Sequence, residues 1–183
     1  MMEVTNDDDI ELFQSNLEKI YNWAGTNHMK WNDTKFQLLR FGPNLNIKES
    51  TYIFSPGMEG VIEDKEQVKD LGIIVDNELR YKSQMDCALN KANKKANWVF
   101  RTFKTRDVIF LKKIWKSTIQ CHLDYGSILW APVSEIMDLK KMENVLRSYT
   151  RRAIGMDGLN YWERLKKFKL YSQQRRNERY KII

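Results

Sequence analysis

The chain has 183 residues, 42% of them hydrophobic and 12% aromatic, enough apolar material for a core in one or two small domains and too much for a disordered polar chain. Its formal charge of +7 is unevenly divided: residues 1–76 hold 7 Lys/Arg against 14 Asp/Glu, a net −7, and residues 77–183 hold 24 against 10, a net +14. No apolar run approaches the roughly 20 residues of a membrane span, the start Met1-Met2-Glu3-Val4 lacks signal-peptide character, and Cys87 and Cys121 have no metal-ligand spacing, so a reduced protein of the cytoplasm or nucleus, away from membranes, is expected.

In chain order, Asp7, Asp8 and Asp9 precede Ile10, Phe13, Leu17, Ile20 and Ala24, which recur at three- and four-residue steps. This predicts an amphipathic helix ending at Gly25, with Asp8 and Glu11 at capping-box spacing and the carboxylates suited to the positive end of the macrodipole. A triple aspartate is also a possible Mg²⁺ ligand set, but no phosphate-binding partner accompanies it, and capping is the better reading. Lys35 to Phe41 reads as a strand that Asn32-Asp33 turns into and Gly42-Pro43-Asn44 closes. A second strand pair is expected at Thr51–Phe54 and Val61–Glu63. The run Leu71 to Val75, interrupted only by Gly72, reads as a buried strand.

After Asn77 the apolar period changes from two to three or four. Met85, Ala88, Leu89, Ala92, Ala96, Val99, Phe100 and Phe103 form one face of a helix starting near Ser83, with Lys91, Lys94 and Lys95 away from it. Asp107 caps a second helix with Val108, Leu111, Ile114, Trp115, Thr118 and Ile119 inward, ending near Asp124-Tyr125-Gly126. Pro132 and Ser134 open a third, on which Leu139, Met142, Leu146, Tyr149 and Ala153 repeat at helical spacing. Lys140, Arg147 and Arg151 form a basic ridge on another face, and Gly155 supplies the stop. Asn160 and Glu163 fit a capping box for a helix through Leu165 and Phe168, and the tail from Arg175 to Ile183 is still helical in pattern, so it reads as cut. The predicted fold class is α+β and mostly helical, with short antiparallel strands after an N-terminal helix, then a basic helical bundle. The boundary falls between Asp76 and Ser83.

Enzyme constellations are absent from the sequence: no phosphate-binding loop, no Gly-x-Ser-x-Gly elbow, no Cys or His cluster and no dinucleotide glycine fingerprint. His28 and His122 read as surface or structural. What remains is basic helices interleaved with aromatics: Trp98, Phe100 and Phe103 beside Lys94, Lys95 and Arg101, then Trp115 beside Lys112, Lys113 and Lys116. Lys and Arg neutralise phosphates and release counterions, giving sequence-independent affinity. Solvated basic helices and an anionic membrane surface suit the same composition. The aromatics fall mainly on apolar faces, which favours core packing over base stacking.

With these residues in view, the whole chain resembles the C-terminal part of the reverse transcriptase of LINE-type, non-LTR retrotransposons. Trp23, Met29, Asn32, Lys35, Leu38 and Phe41-Gly42 look like the segment after the family's catalytic strand pair, its motif D. Lys69-Asp-Leu-Gly-Ile-Ile-Val-Asp76 resembles the primer-grip motif E, where palm meets thumb. Arg101-Thr-Phe103, His122-Leu-Asp-Tyr-Gly126 with Trp130, Leu159-Asn-Tyr-Trp-Glu-Arg-Leu165 and Ser172-Gln-Gln-Arg-Arg176 look like thumb and post-thumb helices.

The resemblance implies a palm remnant at residues 1–80 and a thumb-like region at 81–183. It implies a nucleotide-proximal role for Lys35 and a primer-grip role for Leu71 and Gly72. The basic helices would track the template-primer backbone, through Lys91, Lys94, Lys95, Arg101, Lys140, Arg147, Arg151 and Arg152. The family's polymerase holds two Mg²⁺ ions on carboxylates of earlier motifs, one of them Tyr-x-Asp-Asp, and neither motif occurs in this sequence. The expectation is therefore a fragment of an RNA-directed DNA polymerase with no catalytic residues, metal or cofactor of its own, Mg²⁺ belonging to the intact parent. RNA or an RNA/DNA hybrid would be its partner, together with the missing N-terminal polymerase segments if the chain is part of a longer protein. The alternative is a domesticated nucleic-acid-binding or interaction module without polymerase chemistry.

Overall fold

The structure is a computed structural model and describes residues 4–32, 35–42, 50–54, 61–131 and 136–180. The chain forms two compact units, Met1–Leu79 and Arg80–Ile183. Its class is α+β, mostly helical, and among the described residues no helix is long and apolar enough to cross a membrane.

In the first unit α1 spans Asp7–Thr26. Its capping box is two residues earlier than the sequence spacing suggested. Asn6, not Asp8, is the N-cap: its Oδ1 accepts from the Asp9 N–H at 2.8 Å, and Asp9 Oδ2 accepts from the Asn6 N–H at 3.3 Å. Asp9 also accepts from the backbone and hydroxyl of Thr5, which hold its carboxyl below the ordinary value. One of the three aspartates is thus committed to the helix end. Ala24 is buried as expected, whereas Ile20 is exposed, and Tyr21 packs edge-on against Phe54 instead.

The expected strand at 35–41 is shorter, β1 being Gln37–Leu39. The expected pairing of Thr51–Phe54 with Val61–Glu63 does not form. The Gln14 side chain of α1 takes both backbone groups of Ile53, donating to its carbonyl at 2.8 Å and accepting its N–H at 3.0 Å. Among the described residues the segment joins no sheet, and the Ile62 N–H bond to the Tyr52 carbonyl is its link to the 61–63 segment. The second strand is instead β2, Glu63–Lys65, and it pairs with β1 in parallel, not antiparallel. A parallel pair needs a long return connection, which residues 40–62 supply. Arg40 supports this connection by pairing with Asp64 at 2.8 Å and with Ser50 Oγ at 2.9 Å. Phe54, almost fully buried, stacks on Phe36 at 3.7 Å and meets Trp31 edge-on. The turn residues Pro43 and Asn44 lie outside the described residues, as does Asp33.

The run Leu71 to Val75 is not one buried strand. β3 (Gln67–Asp70) and β4 (Ile73–Asp76) form an antiparallel hairpin with Asp70 opposite Ile73, and Leu71 and Gly72 are its two-residue turn. Both turn residues have positive φ, 45° and 87°, the conformation that matches the right-handed twist of a hairpin. Leu71 is 84% exposed.

The second unit is helical. α2 (Lys82–Thr102) buries Met85, Ala88, Leu89, Ala92, Ala96 and Val99 along one face. α3 (Val108–Ile114), capped by Asp107, continues through a π-helical segment (Trp115–Ile119) into α4 (Gln120–Asp124). The cause lies in the spacing of Leu111, Trp115, Ile119 and Leu123, all buried and each four residues from the last. In a regular α-helix a four-residue step drifts about 40° around the axis. The wider turn closed by the Gln120 N–H on the Trp115 carbonyl brings the four back to one face.

After Gly126 come α5 (Ser127–Trp130), α6 (Ile136–Arg151), α7 (Tyr161–Phe168) and α8 (Gln173–Tyr180). Pro132 and Ser134, expected to open α6, lie outside the described residues. α6 buries Met142, Val145, Leu146 and Tyr149, and the Trp115 and Tyr149 rings meet at 5.0 Å. The Asn160–Glu163 capping box of α7 is formed, at 3.0 and 2.8 Å.

Candidate nucleic-acid interface

The residues singled out from sequence fall into separate places. Lys35 is an exposed residue of the first unit whose backbone N–H is bonded to the Asn32 carbonyl. Leu71 and Gly72 form the hairpin turn of that unit. All the basic residues expected to contact nucleic acid lie in the second unit and are exposed: Lys91, Lys94, Lys95 and Arg101 on α2, Lys140, Arg147 and Arg151 on α6, and Arg152 just beyond it.

Helical geometry and contacts sort these cations further. Lys91 and Lys95, one turn apart on α2, stand beside His122 of α4, and Lys95 also lies over the Trp98 ring at 5.4 Å. Burial first, then the two ammonium groups, push the His122 pKa below its ordinary value. Lys94, Asn97 and Arg101 share a different face, at i, i+3 and i+7. Arg152 joins that face, because its Nη1 donates to Asn97 Oδ1 at 3.3 Å. The Arg152 guanidinium also lies 4.8 Å from the centre of the Phe100 ring, which Arg106 approaches at 5.0 Å.

Arg147, Arg151 and Arg152 then line a cleft of about 870 Å³ between the end of α6, the turn 156–160 and the start of α7. A fourth arginine, Arg164 of α7, completes it. Arg164 is only 8% exposed, and it donates from Nη1 to the Leu159 carbonyl at 2.8 Å and from Nε to Thr150 Oγ1 at 3.5 Å. Tyr161 stands between the guanidinium groups of Arg147, 4.4 Å from its ring centre, and Arg164, at 5.8 Å. Its hydroxyl donates to Glu143, and burial followed by that bond pushes its pKa well up, so it remains a protonated donor.

None of the four cleft arginines forms an ion pair with a described residue. This separates them from Arg40 and Arg176, whose charges are met by Asp64 and Asp124 at 2.8 and 2.6 Å. Asp157 is the one carboxylate among the lining residues. Lys140 is not part of the lining. Sequence reasoning missed Arg164 as a site residue because it lies on the buried side of a short helix. The signal was its position three residues after Tyr161, which puts both on one face.

The arrangement holds several positive charges around a concave surface, which suits an anion. Among the described residues no three His, Cys, Asp or Glu side chains are placed to hold a metal ion. Comparison of the chain with protein-family models, with curated proteins and with solved structures gives no match.

Proposed function

We propose that this chain is the palm-end and thumb portion of a LINE-type reverse transcriptase, without nucleotidyl transfer of its own, whose remaining activity is binding RNA or an RNA/DNA hybrid. The identity rests on the order and spacing of the motif-like segments from Trp23 to Arg176. The binding activity rests on one observation: Arg147, Arg151, Arg152 and Arg164 converge on a single cleft without ion-pair partners. Guanidinium groups left unpaired in this way are available to phosphate oxygens, which they meet with paired N–H donors.

Two assays on the purified chain test the reading. Primer extension with Mg²⁺ is expected to yield no template-dependent product. A gel shift with RNA across a salt series is expected to show log K falling with log salt, by about 0.7 to 0.9 for each phosphate neutralised. Template-dependent synthesis would overturn the first half of the proposal, and absence of RNA binding at low salt the second.

A further inference from the structure

We infer that the cleft between α6 and α7 is a seat for one phosphate group, with Arg164 as its floor and Arg147 and Arg151 as its walls. This deepens the nucleic-acid-binding reading above and rests on it for the nature of the ligand.

Arg164 carries the argument. A guanidinium this buried loses most of its hydration, and burial of a charge is unfavourable unless the charge is met. Its two bonds go to neutral oxygens, the Leu159 carbonyl and the Thr150 hydroxyl, and Nη2 has no partner among the described residues. The Thr150 hydroxyl is itself engaged, donating to the Leu146 carbonyl at 2.9 Å. Glu143, the carboxylate on the Tyr161 hydroxyl, also accepts the Gln174 N–H at 3.2 Å and forms no ion pair with the cleft arginines. The Arg164 charge is thus fixed in place by neutral groups and left for an incoming anion.

Shape and chemistry narrow that anion. Arginine's planar fork matches the paired oxygens of a phosphate or carboxylate. A space of about 870 Å³ exceeds what a lone phosphate fills and lies within the range of sites for larger organic ligands. A phosphate attached to a nucleoside meets both conditions. It could be an internucleotide diester or a terminal monoester, and both present the same oxygens to the guanidinium groups.

The test measures fluorescence anisotropy of labelled single-stranded RNA, with and without a 5′-phosphate, on the full chain and on Arg151→Gln, Arg147→Gln, Arg164→Lys and Lys166→Gln. Lys166 is exposed on α7 and outside the cleft lining, so it controls for net charge. Arg151→Gln and Arg147→Gln change exposed positions and keep the fold, which circular dichroism verifies. Each is expected to weaken binding about tenfold and to lower the salt slope by about one phosphate, with Lys166→Gln changing affinity by less than about twofold. Arg164→Lys keeps the charge but loses the fork, and is expected to weaken binding similarly. A gain from the 5′-phosphate that Arg151→Gln abolishes identifies the terminal monoester, and equal binding of both RNAs the internucleotide diester. Equal affinities for Arg151→Gln, Arg147→Gln and Lys166→Gln would overturn the site while leaving RNA binding intact. If the unaltered chain binds no RNA, inorganic phosphate decides: a rise in melting temperature lost in Arg151→Gln upholds the phosphate seat without the nucleic-acid reading, and no rise overturns both.

Discussion

The Tyr149 hydroxyl of α6 donates to the Leu111 carbonyl of α3 at 2.9 Å, in the buried centre of the second unit and one turn before the π-helical segment. That carbonyl also accepts the Trp115 N–H. Tyr149→Phe therefore removes a donor without leaving an orphaned acceptor, and is expected to cost about 1 kcal/mol, not the larger penalty of an unmet buried group. Urea unfolding monitored by near-ultraviolet circular dichroism checks it. A loss of several kcal/mol would mean that the bond also holds the widened turn together.

His122 makes the second unit sensitive to acid. Its pKa is lowered in the fold, by burial and by Lys91 and Lys95, from an ordinary value of 6.5. As the pH falls below that value the unfolded chain takes up the proton before the folded one does. The histidine's contribution is thus fully present above about pH 6.5 and is lost as the pH drops through its lower folded value. Urea midpoints measured from pH 7.5 to 5 are expected to fall further for the unaltered chain than for His122→Gln. Parallel curves would show that the histidine does not titrate differently in the fold.

Leu71 occupies a left-handed turn position that disfavours an ordinary side chain and exposes its own apolar one. Leu71→Asn converts the turn to Asn-Gly, the favoured pair for this hairpin geometry. The change is expected to stabilise the first unit by about 0.5 to 1 kcal/mol, read as slower amide exchange across Gln67–Asp76. Unchanged or faster exchange would show that the leucine side chain holds the turn through contacts of its own.

Gln14 acts as a side-chain substitute for a neighbouring strand, and Gln14→Leu withdraws both of its bonds from Ile53. Because Ile53 is 41% exposed, water replaces part of what is lost. The expected cost is about 1 kcal/mol, with faster exchange of the Ile53 amide as the direct readout. An unaltered exchange rate would place that amide's protection elsewhere.

These four sites also show what the sequence makes visible. α2 and α7 are legible because helical periodicity and a capping box are local signals, and Met85 to Val99 and Asn160–Glu163 carry them without interference. The Leu71–Gly72 turn is hidden inside an apolar run and lacks the asparagine or aspartate that advertises such a bend. The four-residue spacing from Leu111 to Leu123 was in plain view, yet it separates from an ordinary helix only when the cumulative drift is followed for three turns. β1 and β2 meet across a long connection, and Gln14 meets Ile53 across 39 positions, distances over which patterning carries no information. The cleft is of the same kind. Arg147, Arg151 and Arg152 announce themselves as charge, but Arg164 joins them only because α7 folds back against α6.

The Phe100 ring, with Arg106 and Arg152 both laid against it, has a thermodynamic consequence for any anion entering that cleft. A free arginine side chain forfeits substantial rotational freedom when it is immobilised on a ligand. Arg152, already resting on an aromatic face and tethered to Asn97, has surrendered much of that freedom during folding. A binder preorganised in this way is expected to bind phosphate with a smaller entropic penalty, and Phe100→Leu would release that constraint while leaving every charge in the cleft unchanged.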